Sequence, residues 1–454
     1  MTQVAEEKLT YMSNFSRIEK QIGPGAPAWL ERMRKSAIEK FEKTGFPTTD
    51  MEEWRFTNVA PIARIPFKPA RQVELHADDI AAFSFGHDAA VEIVFVNGHF
   101  SPKLSVARDL PQGVTVSSLA TALLLHSELI EEHLSRHAEI SANPFVALNT
   151  GFVRDGAFVH LSRNAVLEKP IHVMFVSVAG KEPMVAHPRV LVVADDNSQA
   201  TIVKSFVSTA AGVYFDNAVT EIVVGHNARI DHNKLQQDSP DAFHVSTMQV
   251  RLARSSRFIS HAATIGGKLT RNDLNVVLAG EGADATLNGL VIIGGDQHCD
   301  NHTLLDHAAP NCPSHELYKH VLNGKSSGVF KGKILVRKIA QKTDSKQTSK
   351  SLLLSDDAVM NSQPALEIYA DDVKCTHGST TGPVDEEQVF YMRSRGVSLD
   401  AARHLMTYAF AADVTRRIKV EPVRRRVESI MAAQHGLPQD LRITDLGEHD
   451  EAAR

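Results

Sequence analysis

The sequence predicts a mainly β protein: a parallel β-helix core flanked by an N-terminal and a C-terminal α-helical region. Three observations carry that prediction. Near both ends of the chain, apolar residues recur at three and four positions, the spacing of one helix face. From about residue 165 to residue 382 that spacing disappears, and short β-rich runs alternate with Gly, Asn, Asp and Ser. Within this stretch a unit repeats: an apolar run, a polar turn, then a small or basic residue, any residue and an aliphatic one. It occurs as Leu191–Ala194 with Asn197–Ile202, Ile222–Val224 with Gly225–Ile230, Val250–Leu252 with Arg254–Ile259, and Val276–Leu278 with Gly282–Leu287. Aligned on residues 200, 228, 257 and 285, the spacings are 28, 29 and 28. A period of that length without a helix fits stacked coils, each leaving an apolar edge that only its neighbour buries. A sandwich of evenly spaced hairpins is the competing architecture for the same pattern.

In chain order the sequence divides into three regions: 1–165, helical and mixed; 166–382, the β-helix; and 383–454, helical. In the first, Pro27 opens a helix whose apolar face is Trp29, Leu30, Met33, Ala37, Ile38 and Phe41, and Gly45 stops it. Residues 45–62 read as turn-rich. Val91–Val96 is a strand ending at the turn signal Asn97-Gly98. Residues 117–140 predict a helix capped by Ser117 or Ser118, with Leu119, Leu123, Leu124, Ile130 and Leu134 on its apolar face. After Gly382-Pro383, Asp385 with Gln388 has capping-box spacing and Gly396 is the stop. Ser398 caps a second helix there, and Pro422 opens a third.

Composition excludes several classes of function. The chain has 454 residues, 43% hydrophobic and 23% charged, ordinary for a soluble protein with a core. Lys and Arg number 49 against 54 Asp and Glu, so no global basic field awaits nucleic acid. No run approaches the ~18 apolar residues of a membrane span. The start, MTQVAEEKLT, lacks the basic-then-apolar order of a signal peptide. Three cysteines, Cys299, Cys312 and Cys375, make no disulfide framework and suit a reducing cytosol. A cytoplasmic protein is expected.

Four motifs invite chemistry. Gly280-Glu-Gly282-Ala-Asp-Ala285 matches a dinucleotide fingerprint, but the residues after it are β-like rather than the helix that would hold a pyrophosphate, so it reads as a coil turn. Gly324-Lys325-Ser326 resembles the end of a P-loop, yet residue 319 is Lys where the loop needs Gly. Between His298 and His315 stand eight potential metal ligands. On a strand, His298, Asp300 and His302 share a face with Cys299 opposite, either as weak candidate ligands or as a hydrogen-bonded polar stack. The sharper pair is Cys375 and His377, separated by one residue and so on one strand face. Thiolate with imidazole suits iron or a nascent iron–sulfur unit, and Lys374 with a neighbouring imidazolium would lower the thiol pKa. Two ligands make no complete site, so a partner chain would supply the rest. Packing alone is the other reading.

The segments Phe46–Asn58 (FPTTDMEEWRFTN), 316–358 (ELYKHVLNGKSSGVFKGKILVRKIAQKTDSKQTSKSLLLSDDA) and 366–396 (LEIYADDVKCTHGSTTGPVDEEQVFYMRSRG) resemble the signatures of the SufB/SufD family of the SUF iron–sulfur cluster assembly system. The first and third are closer to the SufD branch than to SufB. The resemblance implies a right-handed β-helix and a non-catalytic scaffold. The implied partners are SufB, through the β-helix, and the ATPase SufC, through the C-terminal helices. Separately from the resemblance, the unpaired strand edges of a terminal coil seek partners, so some dimer is expected, either with SufB or as a homodimer of the chain alone. Cys375 and His377 match the family's Cys-x-His positions, associated with the SufB interface and with cluster assembly or iron entry. Arg393, Arg395, Arg416 and Arg417 become the candidate partner-binding residues. No intrinsic cofactor is expected; a transient cluster, iron or reduced flavin would belong to the complex. The rivals are a standalone metal-binding β-helix protein, the paralogous scaffold SufB, and a polysaccharide-acting β-helix enzyme, which would need acidic clusters along an exposed groove.

Overall fold

The computed structural model describes residues 11–17, 19, 26–108, 110–141 and 143–434. Its core is built around one recurring corner. Asn197, Asn227, Ser255, Gly282, Asn311 and Lys342 each hold a positive φ, between 55° and 70°. Asn and Gly tolerate that conformation best, and it turns the chain sharply from one strand into the next. In every case the amide of the turning residue donates to a carbonyl in the following coil: Asn197 to His226, Asn227 to Arg254, Ser255 to Glu281, Gly282 to Pro310, Asn311 to Gln341 and Lys342 to Asp372, at 2.7–3.2 Å. Just beyond each sits a small buried side chain, in order Ser198, Ala228, Ser256, Ala283, Cys312 and Thr343. The Asn164, Asn197 and Asn227 side chains add a ladder, each amide donating to the preceding one at 2.9–3.0 Å.

These corners join two long parallel sheets that form the walls of a β-solenoid. The first runs through Arg189–Ala194, Tyr214–Val224, Phe243–Leu252, Leu269–Leu278, His298–His307 and Ser327–Val336 to Val359–Ile368. The second runs through Ile171–Ser177, Gln199–Ser208, Arg229–Asp238, Arg257–Gly266, Asp284–Ile293, Pro313–Leu322 and Asp344–Leu353 to Lys374–Pro383. The antiparallel pairs are confined to the start, between Val114–Ser118 and Gly156–Leu161 and around Val91–Val96. The solenoid repeat was legible in the sequence; its alignment was not. The paired positions are Gln199, Arg229, Arg257 and Asp284, so Ala228 is the counterpart of Ser198, not of Ala200. Small residues occur at two places in each corner, and matching by residue type slides between them.

Alternation decides what each wall faces. The lumen is apolar along the edge with the positive-φ corners, where Ile222, Val224, Val250, Leu252, Ile202, Ile230 and Phe258 meet. Along the opposite edge it is polar, through Lys204, Lys234, Asp238, His244 and Thr270, all buried. The two sequence motifs rejected as nucleotide sites are corners of this stack. A Cβ at Gly280 would lie 2.1 Å from the Arg254 amide nitrogen, so that glycine serves coil-to-coil approach. Lys325 donates its amide to Gly295 at 2.6 Å, and the strand Ser327–Val336 comes directly after.

The outer face of each wall is covered from a different end of the chain. Helix Ala28–Thr44, stopped at Gly45 with φ 67°, lays Ile38 and Phe41 against Ala147, Leu148 and Phe152 of helix Pro144–Phe152, an element that the sequence did not announce. Trp54, Ile62, Phe67 and Phe145 then pack on Phe215, Phe243 and Leu269 of the first wall. On the second wall, Tyr408, Val414, Val427 and Met431 of helices Leu399–Thr415 and Glu421–Gln434 cover Leu235, Ile265, Leu290 and Val321. The aliphatic and Met side chains among them contribute about 1.5–3 kcal/mol each. Ser118, Asp385 and Ser398 cap their helices as expected. The helix expected over 117–140 breaks at His126 into Leu119–Leu125 and Ser127–His133. The break shifts the helical phase, so Leu119 and Ile130 are buried while Leu124 and Leu125 are 81% and 70% exposed. No helix among the described residues is long and apolar enough to cross a membrane.

One buried ion pair fastens the N-terminal region to the solenoid. Arg189 Nη2 donates to Glu221 Oε2 at 2.5 Å, both side chains fully buried. Arg189 also donates to Asn149, Thr150 and Ser135, and the amides of Ser135, His137 and Ala138 donate to the Glu221 carboxylate. Burial opposes ionisation of Glu221, yet Arg189 and those amides hold its pKa below the ordinary value. Arg189→Met strands that carboxylate without its cation, and is expected to cost about 3–5 kcal/mol in urea unfolding. A loss under about 1 kcal/mol, the scale of an exposed pair, would show that the pair fastens nothing.

Candidate functional site

The sharpest sequence candidate sits in the last coil. In Lys374–Pro383, Cys375 pairs in register with Ser345 and His377 with Gln347. Ser345 and Gln347 face the lumen: Ser345 bonds Ser314 at 2.6 Å, and Gln347 donates to Glu316 at 2.6 Å. Cys375 and His377 therefore extend two lumen columns, Ser314–Ser345–Cys375 and Glu316–Gln347–His377. Among the described residues no further coil is stacked on this one, so the columns end at an open mouth where Cys375 is half-buried and His377 exposed. Ser379 Oγ bonds Ser362 Oγ at 2.8 Å across the mouth, linking the two walls. Val359–Ile368 and Lys374–Pro383 are the terminal strands of their sheets, so each leaves one edge unpaired among the described residues.

The thiol does not have the lowered pKa that the sequence suggested. Burial against the apolar lumen pushes the Cys375 thiol up, the Ser345 amide opposes this and Asp344 reinforces it. Lys374 lies on the opposite face of the strand and is exposed. The pair therefore offers a protonated thiol and an imidazole, about 6.6 Å apart along the strand. That is close enough for both to reach one soft or borderline ion, such as iron, once the thiol gives up its proton. Behind them, Glu316 is fully buried and burial pushes its pKa up to about 7.

His298, Asp300 and His302 do share one face of their strand, with Cys299 inward, and that face is covered by the Phe46–Asn58 segment. Thr57 Oγ1 lies 2.9 Å from His298 Nε2 and donates to Asp300 Oδ2 at 2.5 Å. Arg271, its guanidinium 4.2 Å over the Trp54 ring, donates to Asp300 at 2.6 Å and to Asp273, and approaches His302 Nδ1 at 3.0 Å. Glu53 completes the cluster at 3.3 Å from His302. Arg271 occupies the centre that a metal would need, and the three residues hold the N-terminal segment in place. Burial raises the Asp300 carboxyl, but Arg271, His302 and Thr57 outweigh it and hold it well below the ordinary range.

The candidate arginines form two groups. Arg393 and Arg395 lie on or just beyond helix Glu386–Ser394 beside Phe390 and Tyr391, which are 72% and 57% exposed, and Arg395 stacks 4.5 Å over Tyr391. Arg416 and Arg417 lie beyond the far end of the 17-residue helix Leu399–Thr415, roughly 25 Å away along its axis. Arg417 is engaged with Asp413.

Sequence reading missed a buried cluster of ionisable side chains. Lys204, Asp216, Lys234, Asp238 and His244 are all buried in the polar edge of the lumen. Burial, with Lys234 nearby, pushes the Lys204 pKa well down, and burial lowers Lys234 to about 8 and His244 to about 4. Burial and Asp238 push Asp216 up to about 8. The only signal in the sequence was spacing: Asp216 and His244 are register partners one coil apart.

Residues 175–410 match the family model described as the SufBD core domain of SUF-system FeS cluster assembly, and residues 5–173 match that of the SufBD protein N-terminal region. The chain is 32% identical to an iron–sulfur cluster assembly SufBD family protein of Synechocystis over 413 residues, covering 89% of this chain and 91% of the relative. It is 31% identical to the iron–sulfur cluster assembly protein SufD of Escherichia coli over 86% of this chain and 89% of that one. With SufD of Bacillus subtilis the identity is 26%, over 93% and 96%.

Two measurements check this geometry. Cys299 and Cys312 are buried, so iodoacetamide is expected to label the native protein at Cys375 alone, and Cys375→Ser to abolish labelling. Because the thiol is pushed up, the rate should still be climbing with pH between pH 7 and pH 9; a rate already saturated at pH 7 would refute the protonated thiol. Arg271→Leu should release the Phe46–Asn58 segment. Trypsin would then cut after Arg55 roughly tenfold faster or more, matching a lost hydrogen bond to a charged group of about 1.5–3 kcal/mol. An unchanged rate would mean that the cluster does not hold the segment.

Proposed function

The chain belongs to the SufBD family of iron–sulfur cluster assembly proteins, and we propose that it is the SufD-type scaffold subunit, non-catalytic and cytoplasmic, of an assembly with SufB and the ATPase SufC. The observation that carries this reading is the open mouth. Cys375 and His377 face a lumen that ends there, with two ligands and two unpaired strand edges. Two donors hold an iron ion or a nascent cluster only if a second molecule completes the set, and unpaired ten-residue edges are surfaces on which another β-helix can continue pairing. SufB is the partner proposed for that end. The exposed Phe390 and Tyr391 with Arg393 and Arg395 are the anchor types that protein interfaces favour, and are proposed to meet SufC. Arg416 and Arg417 would form a second, more distant contact. Cluster, iron and any reduced flavin are cargo or cofactor of the whole complex.

Co-expression with the SufB and SufC of its own organism is expected to yield a three-component complex in size-exclusion chromatography. A chain that elutes alone, with no affinity for SufC at high concentration, would overturn the proposal. Cys375→Ala with His377→Ala should leave the complex intact and lower cluster assembly in a SUF-dependent cell by about tenfold or more, since loss of even outer-shell ligand partners reaches that scale. Unimpaired assembly would remove these two residues from the mechanism.

A further inference from the structure

Among the described residues, Asp216, Asp238 and His244 are the one set of three metal-ligating side chains whose donor atoms all lie within 4.8 Å of one another. They come from separate elements. Asp216 and His244 are register partners on adjacent strands of the first wall, and Asp238 ends Arg229–Asp238 of the second. All three point into the polar edge of the lumen, and the side chains of Asp238 and His244 are fully buried.

The hydrogen bonds around the set come from behind its side chains. Tyr214 donates to Asp238 Oδ1 at 2.9 Å, and the Ser239 amide in turn donates to the Tyr214 hydroxyl. Ser177 donates to Asp216 Oδ2 at 3.0 Å. Lys234 Nζ lies 3.0 Å from His244 Nε2 and donates to Asn272 at 2.6 Å. Each side chain is thus fixed from behind, as outer partners orient the ligands of a metal. The atoms in front face only each other: Asp238 Oδ2 and His244 Nδ1 stand 3.1 Å apart at ion-pair distance, without the geometry of a directed hydrogen bond. A buried pair with no better-aligned partner on either side is costly, and such groups call for an explanation.

We propose that Asp216, Asp238 and His244 bind one divalent first-row transition-metal ion of the zinc or ferrous type, which clips two consecutive coils together from inside. Two carboxylate oxygens and one imidazole nitrogen are a donor set for that class, whereas calcium and magnesium prefer oxygen alone. An ion with bonds of about 2.0–2.1 Å places tetrahedral donors about 3.3 Å apart. Asp238 Oδ2 and His244 Nδ1 are already near that separation, at 3.1 Å, and Asp216, within 4.8 Å of both, closes on them by at most about 1.5 Å. A metal on Nδ1 requires the ring hydrogen on Nε2, so the Lys234 amine, 3.0 Å from that nitrogen, turns from it to Asn272, to which it already donates. The site is separate from Cys375 and does not depend on the scaffold reading.

The test uses the full chain, stripped with EDTA under denaturing conditions and refolded with Zn(II) or Co(II) alone. After desalting it should keep about one ion per chain, and Co(II) should show the visible bands of a tetrahedral site. Asp238→Asn and His244→Gln should each lower retention about tenfold or more, and Cys375→Ser should not. Independently of any variant, Zn(II) should raise the melting temperature of the refolded wild-type chain. The proposal is overturned if the folded chain retains less than about a tenth of an equivalent of either ion. It is equally overturned if retention survives Asp238→Asn and His244→Gln but fails with Cys375→Ser.

Discussion

The positive-φ corner is the constraint on which the rest of the molecule depends. A turning residue whose amide bonds the next coil fixes both the hand of the turn and the register of the strand after it. Register fixes parity, and parity in a strand is absolute, since a slip of one residue exchanges lumen for surface. Six such corners in succession carry the same parity to residue 374, and for that reason Cys375 and His377 face inward while Lys374 and Thr376 do not.

Much of this was legible in the chain, and the remainder was hidden for a physical reason. Helix limits were readable because caps and stops are local chemistry: Gly45, Ser118, Asp385, Gly396 and Ser398 all act as their residue types suggest. That Cys375 and His377 share a face is a consequence of spacing alone. Which face it is, and what the thiol feels there, depends on Ser345 and Asp344 one coil earlier, so the expected lowering by Lys374 was the wrong sign. The His298–His302 cluster shows the same limit at longer range, since its partners Glu53 and Thr57 lie some 240 positions away. Asp216, Asp238 and His244 left no motif at all, because the coil period, and not the local sequence, brings them together.

The two helical regions divide the work of closing the solenoid. The N-terminal region covers the first wall and is fastened at Arg189–Glu221 and at Arg271–Asp300, both buried ion pairs with further hydrogen bonds. The C-terminal helices cover the second wall, with Lys319 donating to the Phe410 carbonyl and pairing with Asp413. The C-terminal helices reach the outer face of the last strand pair only at its end, where Leu352 packs against Val389 and Ala402, while Lys346 and Lys350 are exposed. Sites held by buried charge are thus at the start and middle of the stack, and the one open site is at its end.

A stack of coils is a one-dimensional array, and an array has ends. Each interior coil is held by two neighbours and the last by one, so in nearest-neighbour terms the coil that carries Cys375 has about half the cohesion of those before it. Fraying then begins there, and it costs less than global unfolding. The next helix starts at Glu386, three residues beyond the strand's last residue, Pro383, and Val384 between them is buried against Leu352, Val389 and Ala402. A pull on helix Glu386–Ser394 therefore reaches the thiol-bearing strand with almost no slack. The least cohesive coil and the shortest tether coincide, which makes the mouth of the lumen the part of the molecule most responsive to force applied at its C-terminal helices.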